Sequence, residues 1–132
     1  MTHTLYFDGA CRGNPGNGSF GGVIYDDKQN IVTTYKDFLG ITTNNIAEYS
    51  ALLNGLQIAL EHDITNIDVY GDSLLIIKQM NGLFKVRNKR LRELNEECNT
   101  LKQKFKHITF QHILRDKNKM ADKLANEALD KN

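Results

Sequence analysis

Four acidic side chains stand where carboxylates could do chemistry together. Asp8 and Asp72 each fall directly after a short strand-like run that ends in a turn, and in open α/β sheets the carboxyl ends of neighbouring parallel strands line the ligand crevice. Glu48 and Asp122 each lie near the start of a segment with helical periodicity. If all four reach one crevice, they cannot stay ionised together without cations, and hard oxygen ligands select Mg2+ or Mn2+. Such a shared site predicts two ions. A pair of ions about 4 Å apart suits in-line displacement at phosphorus, one activating water and the other stabilising the leaving oxygen. The chemistry indicated is phosphodiester hydrolysis.

Each acid also has an ordinary structural use. Asp72 followed by Ser73 at a strand-to-helix junction is a common N-cap, and Asp8 suits a turn. Glu48 stands three residues after Asn45, the spacing of a capping box, and Asp122 suits the positive end of a helix dipole. Directly after Asp8 comes Gly9-Ala10-Cys11-Arg12-Gly13-Asn14-Pro15-Gly16-Asn17-Gly18. This reads as a loop whose glycines allow positive φ and close approach of a ligand. It lacks the Lys-Ser/Thr of a Walker loop.

The elements that must position these groups follow from periodicity. Residues 3–8 alternate as a strand ending at Asp8, and 20–25 and 31–38 read as a hairpin joined by polar residues. Over residues 45–61, Ile46, Tyr49, Leu53, Leu56 and Leu60 form a helical stripe, with Thr42-Thr43-Asn44-Asn45 supplying the cap. A short strand over 66–71, a short apolar helix over 73–80 and a long polar helix over 88–105 come next. The final strand spans 106–114 and the final helix 118–130. The order βββ-α-β-α-α-β-α implies a mixed sheet, parallel through its first, fourth and fifth strands, with helices on its faces.

At 132 residues, with one Pro and no linker or repeat, the chain reads as a single domain, 1–132, able to bury its own core. The net charge is +1, but residues 1–72 carry −6 and residues 73–132 carry +7. That split fits an anionic substrate as well as two halves that attract each other. The longest aliphatic run is Leu74-Leu75-Ile76-Ile77, so neither a membrane span nor a secretory segment is signalled and a cytoplasmic location is expected. Cys11 and Cys98 are too isolated for a zinc site or a disulfide framework and read as reduced thiols.

Four motifs, in order and spread over nearly the whole chain, resemble the type 1 ribonuclease H family. They are DGACRGNPGNG from Asp8, TTNNIAEYSALLNGLQIAL around Glu48, YGDSLLIIKQMNG around Asp72 and RDKNKMADKLANEAL around Asp122. The resemblance implies an α/β ribonuclease H-like fold: a five-stranded mixed sheet of order 3-2-1-4-5 with helices on both faces. It also implies hydrolysis of the RNA strand of RNA/DNA hybrids to 3′-hydroxyl and 5′-phosphate ends, by a monomer with no obligatory protein partner. By the family's pattern Asp8, Glu48 and Asp72 would hold one ion, and Asp8 and Asp122 the other. Cys11, Asn14, Asn44 and Asn45 match positions facing the minor groove, where the 2′-hydroxyl distinguishes RNA from DNA. Thr43 matches a residue that grips a DNA phosphate, and it also suits helix capping.

The sequence departs from the family in two places. Many members carry a mobile His before the last Asp; here the loop is Arg115-Asp116-Lys117-Asn118-Lys119. Arg115 resembles the replacement seen in an archaeal-like subgroup, while His112 lies upstream and reads as a structural strand residue. The family's basic protrusion is also missing, although residues 85–106 carry a net charge of +5 that could serve phosphates. These departures motivate an alternative, a hybrid-binding module with weak or lost turnover. A proofreading-type exonuclease wants Asp-x-Glu on the first strand, and Asp8-Gly9-Ala10 lacks it.

Overall fold

The computed structural model describes residues 1–131. Its strands are β1 (His3–Gly13), β2 (Gly16–Tyr25), β3 (Ile31–Thr42), β4 (Asn66–Gly71) and β5 (His107–His112). Its helices are α1 (Asn44–Glu61), α2 (Leu74–Met80), α3 (Lys89–Lys102) and α4 (Lys119–Asp130), with a 3-10 turn at Arg115–Lys117. The strands form one sheet in the order β3-β2-β1-β4-β5. The β1–β2 and β2–β3 pairs are antiparallel, and the β1–β4 and β4–β5 pairs are parallel. Helices pack on both faces, as expected. Ser19 and Gly21 of β2 meet α4, while the intervening Phe20 joins the core beneath α1.

That main core holds Leu5, Phe7, Ile24, Tyr49, Leu52, Leu56, Ile67, Val69, Ile76, Met80 and Cys98, all essentially inaccessible. Full burial of each large aliphatic or aromatic side chain is worth roughly 1.5–3 kcal/mol. Tyr49 also donates its hydroxyl to Gln79 Oε1 (2.6 Å) and accepts from Asn95 Nδ2 (3.2 Å), which ties α1 to α2 and α3. The opposite core is built from small residues, Ala121, Ala125 and Ala128, so that α4 lies directly on the sheet. A Cβ on Gly21 would stand 2.7 Å from the Ala125 backbone nitrogen.

The segment after Asp8 corrects the expected loop. β1 runs on to Gly13 and pairs residue by residue with β2 down to Gly13↔Gly16, leaving Asn14 and a cis Pro15 at the hairpin tip. Gly9 serves helix approach rather than freedom of the chain: a Cβ there would lie 2.6 Å from Ala47 C and Glu48 N. β3 likewise extends past Phe38 to Thr42, through an irregularity at Leu39 and Gly40, the latter with φ +74°. α3 is shorter than the expected 88–105 because Asn88 caps it and Gln103 ends it.

His112 is the last residue of β5 and pairs with Gly71, as expected of a strand residue, with its side chain exposed. Both cysteines are free thiols. Among the described residues no helix is long and apolar enough to cross a membrane.

Candidate active site

The last parallel pair between β1 and β4 is Phe7↔Gly71. Asp8 and Asp72 are therefore the next residues on adjacent strands, at the carboxyl edge of the parallel part of the sheet, although β1 itself continues. The N-terminal part of α1 presses against Gly9 and delivers Glu48 to the same edge, where its Oε1 accepts from Gly9 N at 2.8 Å. Oxygen atoms of Asp8, Glu48 and Asp72 lie within 4.8 Å of one another.

The capping alternatives are resolved by the hydrogen bonds. Thr43 Oγ1 caps α1 through Ile46 N, so Glu48 is not engaged in a capping box with Asn45. Ser73, not Asp72, caps α2 through Ile76 N. Asp72 is thereby free of its ordinary structural use, and its Oδ2 instead accepts from Asn118 Nδ2 at 3.1 Å. Asp122 does sit in the first turn of α4, outside the close group of three, yet it lines the same cleft. It accepts from Asn126 Nδ2 at 3.1 Å and faces Arg115 at 3.7 Å.

Asp8 is 4% exposed and Glu48 8%. Burial pushes the Asp8 carboxyl far above the usual range, helped by proton sharing with Glu48 and by the charges of Glu48 and Asp72. Burial also raises Glu48, outweighing its bonds to Asp8 and Gly9 N. Three carboxylates this close, two of them this dry, must take up a proton or a cation. Glu48 Oε2 is buried with no hydrogen-bond partner, an oxygen placed for a ligand other than a protein donor. The all-oxygen donor set fits a hard divalent cation.

The carboxylates line a cleft of about 410 Å³ that also takes in Cys11, Asn44, Asn45 and Arg115. The other expected substrate contacts are placed differently. Thr43 and Asn14 do not line the cleft. Asn14 uses its Oδ1 to accept from Asn44 N (3.1 Å), which pins the hairpin tip to the start of α1. Cys11 reaches the cleft but donates its thiol to Gly13 O at 2.7 Å, within the hairpin. Arg115 is 81% exposed on its side chain. Sequence reasoning overlooked Asn118 and Asn126; the one-turn spacing from Asp122 marks Asn126 as its neighbour on α4, whereas the inward turn of Asn118 has no local signal.

Comparison with known proteins gives this arrangement a lineage. Residues 6–128 match the Reverse transcriptase-like family. Ribonuclease HI of Halobacterium salinarum is 40% identical over 125 residues, which cover 95% of this chain and 63% of that protein. The crystal structure of an RNase H1 from the same archaeon matches with a TM-score of 0.96 and 38% identity over the full length of both chains. The chain belongs to the type 1 ribonuclease H family. A second ribonuclease H1, LC11, solved in complex with an RNA/DNA hybrid, matches with a TM-score of 0.92 and 39% identity, covering 98% of this chain and 97% of that one. The bifunctional protein Rv2228c of Mycobacterium tuberculosis is 37% identical over 131 residues. The chain spans 36% of the mycobacterial protein's length and 63% of the halobacterial one's.

Proposed function

We propose that the chain is a metal-dependent endonuclease that hydrolyses the RNA strand of RNA/DNA hybrids to 3′-hydroxyl and 5′-phosphate ends. The observation that carries this reading is the cluster of buried Asp8 and Glu48 with half-buried Asp72 at the parallel strand ends, their oxygens within 4.8 Å. Its support from outside the chain is the hybrid complex of the LC11 relative.

Asp8, Glu48 and Asp72 would hold one Mg2+ or Mn2+ ion, and Asp8 and Asp122 a second. When bound, the ions activate water and stabilise the leaving oxygen. The chain's own residues do the rest. Gly9 N–H fixes Glu48, so that its carboxylate needs no reorientation to act as a ligand. Asn44 and Asn45, at the cleft wall, would read 2′-hydroxyls, together with the Cys11 and Asn14 hairpin. Thr43 would meet a phosphate of the DNA strand while capping α1. Arg115, next to Asp122, would supply a mobile cation to the scissile region. The reading has the protein acting as a cytoplasmic monomer, which sedimentation and fractionation test.

Incubation of an end-labelled hybrid with Mg2+ or Mn2+ tests the proposal. Cleavage confined to the RNA strand and lost in Asp72→Asn is expected. Tight hybrid binding without turnover would instead make the chain the hybrid-binding module.

A further inference from the structure

Asn118 occupies the N-cap position of α4, where an Asn ordinarily turns its side-chain oxygen onto the helix's own amides. Here it makes no side-chain capping bond. Its carboxamide points inward instead and is 1% exposed. Nδ2 donates to Phe7 O at 2.9 Å and to Asp72 Oδ2 at 3.1 Å. Both partners are acceptors only, which fixes the amide orientation, since a flip would set oxygen against oxygen twice. The cost is visible: Oδ1 is buried without a hydrogen-bond partner. Asp122 N bonds to the Asn118 carbonyl oxygen at 3.1 Å. One residue thus touches the strand just before Asp8, the Asp72 carboxylate and the turn that presents Asp122.

A buried polar group that forgoes its cap and leaves an acceptor unsatisfied needs a compensating role. We propose that Asn118 is a positioning residue: it sets the rotation of the Asp72 carboxylate and locks the spacing of Asp8, Asp72 and Asp122 for a divalent cation. The inference rests on the reading of Asp72 as a metal ligand. Replacing such an outer partner of a ligand typically costs 10–100-fold in metal affinity.

Equilibrium titration with Mn2+, by calorimetry on the full chain, tests this without any activity readout. Asn118→Ala should weaken Mn2+ binding 10–100-fold. Asn118→Ser, which returns a capping oxygen to α4 but has no amide to reach Asp72, should lose affinity to the same extent while keeping the helix start. In an Asp72→Asn background the Asn118→Ala change should alter affinity less than about threefold, because the ligand it acts through is gone. Wild-type affinity in the Ser variant, or an equal loss in both backgrounds, would overturn the proposal and leave Asn118 as packing. Absence of Mn2+ binding by the wild type would overturn the metal-site reading itself, and this inference with it.

Discussion

Asp8→Asn should stabilise the metal-free protein while abolishing catalysis. Asp8, Glu48 and Asp72 offer oxygens within 4.8 Å of one another. At an effective dielectric of about 20, each like-charge pair at that distance costs roughly 3 kcal/mol. At neutral pH folded Asp8 avoids this cost by holding a proton that the unfolded chain would release, so an amide, which needs no proton, should return about 1–3 kcal/mol. For a chain of 132 residues that corresponds to a rise in melting temperature of about 4–11 °C. The pH dependence has a definite sign. Because the folded-state Asp8 pKa is raised by burial above its unfolded value of 3.8, its favourable contribution is complete below that value and is lost as pH rises toward the folded one. Wild-type stability in EDTA should therefore fall steadily from about pH 4 upward, throughout the range 5–9, toward the folded value of about 11, and the variant's curve should be flatter. Saturating Mg2+ should reverse the order, since only the wild type gains binding energy, about 4.1 kcal/mol at a thousandfold excess over Kd. Calorimetric melts across this pH range, with EDTA and with Mg2+, read all of it. A variant no more stable than wild type in EDTA at pH 8 would refute the claim that these carboxylates are held in mutual repulsion.

Gly9→Ala puts a methyl group 2.6 Å from the α1 backbone; chemical denaturation should show a loss of about 1–3 kcal/mol, together with lost activity as Glu48 is pushed away. Arg115→Ala removes only an exposed partner of Asp122, so stability should change by less than about 0.5 kcal/mol. Its kcat should fall about tenfold, one positioned charge's worth of about 1.4 kcal/mol; an unchanged kcat in steady-state assays would remove Arg115 from the catalytic set. Hybrid binding should weaken steeply between 50 and 200 mM salt through the exposed cations of residues 85–92, and a flat dependence in fluorescence titrations would assign that segment to solvent alone.

Much of this site was legible in the sequence because strand ends and helix starts are marked by local chemistry. The alternation before Asp8, the alternating short strand before Asp72 and the 3–4 spacing of Ile46, Tyr49, Leu53 and Leu56 placed three carboxylates on elements that converge. The glycine-rich stretch misled, because its composition says loop while its hydrogen bonds say hairpin. Pairing from Asp8↔Gly21 to Gly13↔Gly16 is long-range information that composition lacks. The capping ambiguities at Asp72 and Glu48 were undecidable locally and fell to single hydrogen bonds, from Ile76 N to Ser73 and from Gly9 N to Glu48. Asn118 went unseen because its role depends on contacts 111 and 46 residues away in the chain.

The most direct test of the account is single-strand-resolved cleavage of a hybrid whose RNA and DNA strands carry different labels, with the divalent ion as the only variable. The account predicts RNA-strand scission with multiple turnover in Mg2+ or Mn2+, products ending in 3′-hydroxyl and 5′-phosphate, and no cleavage in EDTA or in Asp72→Asn. RNA cleavage that persists in EDTA, or at the wild-type rate in Asp72→Asn, would contradict it.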